Sequence, residues 1–155
     1  MIVYLDASAL VKRYIQELGT PEVIQVIIQA EAVGASIISR AETAAALAKA
    51  NRLNVLTNHD ADRAMSRFRE EWPDIIRIQV TEFVVARADQ VAWEYGLRGF
   101  DAVHLASALL WHEQLNQEVS FATFDRQLWL AVRNSGLLPF PPDLPSLLDE
   151  WRQQT

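Results

Sequence analysis

A short apolar run, Ile2-Val3-Tyr4-Leu5, ends in an acid, Asp6. Such a run, bounded by polar residues, reads as a strand buried on both faces and central in a parallel sheet. Packing alone does not account for an acid at its tip, because a lone buried carboxylate is costly. The carboxyl edge of an open α/β sheet, where ligands usually sit, does. Further strands are predicted at Val33 to Ile38 (with Gly34 inside), Ile75 to Val80 and Val119 to Thr123, with a short last one at Leu137-Leu138.

Helical patterns fill the intervals. Ser8 to Leu18 has apolar residues at Leu10, Val11, Tyr14, Ile15 and Leu18 and is closed by Gly19. Thr20-Pro21-Glu22 starts a helix to about Ala32, with a cap, a proline and a first-turn acid. Ser39 caps Arg40 to Asn51, Thr57 or Asn58 caps a polar helix to about Glu71, and Thr81 starts a helix to Tyr95. Asp101 to about Leu115 is apolar nearly all round, and Asp125 to Ser135 ends at Gly136. Strands alternating with one or two helices predict a three-layer α/β/α sandwich around a central, mainly parallel sheet of four to five strands. At 155 residues the chain is expected to be one domain, 1–155, with a proline-rich tail over 139–155 leading to a short helix.

The chain has no cysteine, which excludes disulfides, thiolate metal sites and a cysteine nucleophile. No basic start precedes the first strand and no apolar run approaches the roughly 18 residues of a membrane span, so a cytoplasmic protein without membrane contact is expected. A net charge of −6 argues against a passive nucleic-acid binder held by backbone charge. It suits an acid-rich site that carries metal, or a basic partner.

Four acids can be argued to the same edge. Asp6 and Asp125 each end a strand and could simply cap the helix that follows. Glu42 lies in Ser39-Arg40-Ala41-Glu42, which matches a capping box. Asp101 starts a buried helix, where a carboxylate is favoured in any case. Each bland reading is sound alone, but four acids in the strand-to-helix direction all land on one edge. His104 shares the face of Asp101 and reads as a packing or hydrogen-bonding histidine rather than a ligand. Clustered carboxylates need a cation to ionise together, and all-oxygen donors select Mg²⁺ or Mn²⁺ over zinc. Such a site can hydrolyse a phosphodiester with no other nucleophile.

Ile2-Val3-Tyr4-Leu5-Asp6-Ala7-Ser8, Ser39-Arg40-Ala41-Glu42, Leu97-Arg98-Gly99-Phe100-Asp101-Ala102-Val103-His104 and Thr123-Phe124-Asp125-Arg126 together resemble the PIN domain. The resemblance is to the VapC-like toxins of toxin–antitoxin pairs. It implies a Mg²⁺- or Mn²⁺-dependent endoribonuclease, a homodimer, held inactive by a small VapB-like antitoxin. By motif position it implies Asp6, Glu42, Asp101 and Asp125 as the catalytic, metal-binding acids, with Ser8 and Thr123 as supporting hydroxyls. Arg98 and Arg126 flank two of the acids, either to contact substrate phosphate or to hold a carboxylate in an ion pair.

Two other classes remain open on residues alone. An aspartyl phosphotransferase would need a late lysine, and none follows Lys49. A PIN-like module that only binds RNA or protein is opposed by the intact set of four acids, and for RNA also by the acidic net charge, since electrostatic RNA binding without metal needs basic surface. Nothing in the residues separates RNA from DNA as substrate.

Overall fold

The computed structural model describes residues 1–155. A five-stranded sheet forms the middle layer: β1 (Ile2–Leu5), β2 (Ala32–Ser36), β3 (Ile76–Ile78), β4 (Val119–Ala122) and β5 (Leu138–Phe140), in the order β3-β2-β1-β4-β5. Every neighbouring pair is parallel. β1 is central, as its uninterrupted apolar run requires. The chain winds outward from β1 to β3 and then restarts at β4 on the other side. The switch point, where a ligand crevice is expected, therefore lies beyond the carboxyl ends of β1 and β4.

The helices are α1 (Ala7–Leu10), α2 (Thr20–Gln29), α3 (Ser39–Arg52), α4 (Asn58–Glu71), α5 (Glu82–Tyr95), α6 (Gly99–Leu115), α7 (Arg126–Asn134) and α8 (Leu144–Gln154). Strand alternation sorts β1 between two cores. Tyr4 packs with α5, α6, Phe121 and α7, while Val3 and Leu5 pack with α1, α2, Phe68 and Trp72. The sheet thus has helices on both faces, as the sequence predicts. No helix is long and apolar enough to cross a membrane.

Gly34 has a specific reason to be glycine. A Cβ there would come within 2.7 Å of the Trp111 ring, so the residue lets α6 seat its tryptophan against β2. Of the five tryptophans, Trp72, Trp111 and Trp129 are buried, and Trp151 stacks on Phe124. Only Trp93 is almost fully exposed, at 92%.

Two local expectations fail. The helix predicted over Ser8 to Leu18 is one turn of α-helix followed by a 3₁₀ turn at Val11–Arg13. Tertiary contacts decide this: Val11 and Ile15 pack on Leu47, Ala50 and Ala64, and Arg13 and Tyr14 reach Glu71 of α4. The C-terminal helix is not short, running for 11 residues, and the strand before it is β5 of the main sheet.

Glu71 accepts from Arg13 (3.2 Å), Arg67 (2.9 Å) and the Tyr14 hydroxyl (2.9 Å). Burial pushes its carboxyl up, but the hydrogen bonds from Arg67 and Tyr14 and the Arg13 charge hold it below the usual range. A lowered folded-state value stabilises above the unfolded value of about 4.3 and is lost as pH falls through the lowered one. Glu71→Gln is therefore expected to cost roughly 1–2 kcal/mol at pH 7. In urea melts of both proteins the gap should shrink towards pH 3; a pH-independent gap would show that the charge is not what stabilises.

Candidate active site

Asp6 is the residue immediately after β1 and is only 4% exposed. Its Oδ1 accepts from the Ser8 hydroxyl (2.7 Å) and the Ala9 amide (2.8 Å), so it also caps α1. The Ser8 hydroxyl in turn accepts from the Phe124 amide beyond β4 (3.1 Å), tying the two strand ends at the switch point together. Burial pushes the Asp6 carboxyl above its usual range, against the pull of His104 and of hydrogen bonds from Thr123, Ser8 and Ala9. Thr123 is fully buried, and its hydroxyl also accepts from the Asp125 amide (3.1 Å).

Asp125 caps α7 through the Leu128 amide (2.8 Å) and turns its other oxygen to Arg98 Nη2 (3.1 Å). Arg98 Nε donates to Asp101 Oδ2 (2.9 Å). One guanidinium therefore bridges the carboxylates of α6 and α7, and of the two readings open for Arg98 the ion pair is the one present. Arg126 is exposed and makes no side-chain hydrogen bond.

The capping box expected at Ser39 is not formed. Ile38 occupies the cap position with helical backbone angles, and the Ser39 hydroxyl is buried with no partner. Glu42 turns instead to His104, whose Nε2 lies 2.7 Å from Oε1. His104 is 2% exposed, and its Nδ1 lies 2.8 Å from the hydroxyl of the fully buried Tyr4. The expectation that His104 makes hydrogen bonds holds. Tyr4 escaped sequence reasoning, although a lone hydroxyl in an aliphatic strand, two residues before Asp6 and on its face, was the available signal.

Glu42 and Asp101 line one cleft of about 740 Å³, walled by α5 and the start of α6, with Arg98, Phe100 and Asp89. Asp6 and Asp125 are not in its wall, and join the group through Ser8, Thr123 and Arg98. The donors are all oxygen, and Glu42 and Asp101 each keep one carboxylate oxygen free of hydrogen bonds. This chemistry suits a hard divalent cation. With the side chains as placed, however, no three carboxylate or histidine groups are close enough to enclose an ion. Arg98 neutralises Asp101 and Asp125 in that arrangement, and its side chain is 73% exposed, so turning it outward costs little.

Fold and site together define an α/β protein with an acid-rich crevice at the switch point of a parallel sheet. The PIN domain family profile matches residues 3–132. Ribonuclease VapC45 and Ribonuclease VapC49, both of Mycobacterium tuberculosis, are each 32% identical over 143 residues, covering 92% of this chain and 97% of theirs. A toxin–antitoxin complex from Klebsiella pneumoniae contains a chain of the same fold, with a TM-score of 0.64 at 17% identity, covering 91% of this chain and 98% of that one. The chain belongs to the PIN domain family.

Proposed function

We propose that this protein is a metal-dependent endoribonuclease of the VapC type, the toxin of a toxin–antitoxin pair, folded as one nuclease domain over residues 1–155. The observation that carries the reading is the assembly of Asp6, Glu42, Asp101 and Asp125 from four elements onto one edge of the sheet. Ribonuclease relatives at 32% identity over nearly the whole chain support it.

In this reading Asp6 and Asp101 are the principal ligands of Mg²⁺ or Mn²⁺, with Glu42 and Asp125 completing the set. The bound cation supplies the positive charge that activates water and stabilises the leaving oxygen of a phosphodiester. Ser8 and Thr123, beyond the adjacent carboxyl ends of β1 and β4, would hold Asp6 in place. Arg98, once released from Asp101 and Asp125, and the exposed Arg126 would meet substrate phosphate in this reading. The acid-rich cleft and the net charge of −6 suit an antitoxin whose basic segment enters it. A homodimer would cover apolar surface such as Phe83 and Trp93 of α5, and a cytoplasmic location follows from an RNA substrate.

The test is cleavage of single-stranded RNA and of the matching DNA by the purified chain with Mn²⁺, together with growth of a host expressing it. RNA cuts that need Mn²⁺, and growth arrest relieved by Asp6→Asn, are expected. A purified protein that binds RNA and never cuts it would favour the non-catalytic module.

A further inference from the structure

We infer that the hydrogen-bonded chain Tyr4–His104–Glu42 positions the Glu42 carboxylate in the cleft it shares with Asp101, as an outer support for cation binding; this rests on the nuclease reading above. Each member sits on an element that supplies an acid to the site. Tyr4 is two residues before Asp6 on β1, so strand alternation puts both on one face. His104 is three residues after Asp101 on α6, so both lie on one side of that helix. Glu42 is itself the acid of α3. The relay therefore links the three elements whose relative placement sets the spacing of Asp6, Glu42 and Asp101.

Nothing else holds Glu42. Its single hydrogen bond is the one to His104, and the cap that could have drawn it back to the start of α3 is absent. An untethered glutamate samples many rotamers, and fixing it costs side-chain entropy. The anchor is rigid, because Tyr4 is fully buried and its ring packs on Phe121 with centroids 4.8 Å apart. One direction follows from the chemistry: a carboxylate only accepts, so Nε2 carries a hydrogen and donates it to Glu42, while Nδ1 is bonded to the Tyr4 hydroxyl. The Tyr4–His104 bond is buried, where such bonds are strongest, and the His104–Glu42 bond is partly buried at the cleft wall. The geometry leaves Oε2 of Glu42 free, so support and cation do not compete for the same atom.

The experiment is calorimetric titration of the full chain with Mn²⁺ alone, for the parent, His104→Leu, His104→Gln, Tyr4→Phe and Asp101→Asn. Losing an outer support of a ligand typically costs 10–100-fold in metal affinity, and that loss is expected for His104→Leu. The glutamine amide can donate to Glu42 from near the same point, so His104→Gln should recover to within a few-fold of the parent. Tyr4→Phe should fall between them. A merely structural role would lower the melting temperature of both His104 variants and leave Mn²⁺ affinity unmoved, overturning the inference. If His104→Leu does not fold, Tyr4→Phe decides, and parental affinity there overturns it equally. Asp101→Asn separates the two failures. If it too binds like the parent, the metal reading has failed; if it loses binding while His104→Leu keeps it, only the positioning role has.

Discussion

Asp6→Asn is expected to abolish RNA cleavage, by at least about 10³-fold, and to raise the melting temperature of the metal-free protein. If Asp6 is a principal ligand, as proposed, its removal forfeits several kcal/mol of transition-state charge stabilisation, and each 1.36 kcal/mol is about tenfold in rate. The gain in stability has a separate cause. Asp6 is buried, and burial outweighs its hydrogen bonds in setting its ionisation. Asparagine is isosteric, and its carbonyl can still accept from Ser8 and the Ala9 amide, so the cap of α1 survives without a desolvated charge. Relief of this kind at strained sites is worth roughly 0.5–2 kcal/mol, or about 2–4 °C per kcal/mol in a domain of this size. Thermal melts in EDTA beside a cleavage assay measure both. A variant that melts lower and still cuts would remove Asp6 from the site.

Asp101→Asn is expected to lose activity on the same scale with a different stability signature. Sequence alone argues that it should leave the fold at least as stable, by relieving repulsion among the acids. The structure tempers this, since Arg98 already neutralises Asp101 and Asp125. The variant gives up one exposed ion pair, worth up to about 1 kcal/mol, and a first-turn carboxylate of α6, worth about 0.3–1 kcal/mol. It should therefore melt at or slightly below the parent, opposite in sign to Asp6→Asn. Full cleavage by this variant at unchanged Mn²⁺ concentration would sink the assignment of Asp101.

The contrast between the two aspartates marks how far the sequence reaches. Both were legible as edge acids, one after a strand and one at the start of a helix. Their environments were not, because burial of Asp6 depends on Thr123 and Ser8 closing over it, and exposure of Asp101 depends on where α5 leaves the cleft open. The same holds at Glu42. Its four-residue context fits a capping box, and only the approach of α6 supplies the better partner, His104. Over Ser8 to Leu18 a sound helical period gave way to a 3₁₀ turn, because Val11, Ile15, Arg13 and Tyr14 gain more from α3 and α4 than from continuing the helix.

The sequence by itself determined the layered parallel architecture, the central place of Ile2–Leu5 and the edge to which four acids would come. Those features follow from local periodicity and from the handedness of strand–helix–strand connections, which act along the chain. Only the tertiary structure decided that Arg98 joins Asp101 to Asp125 and that Tyr4 and His104 stand behind Glu42. Those bonds pair residues 27, 100 and 62 positions apart, and no pattern confined to neighbouring residues encodes them.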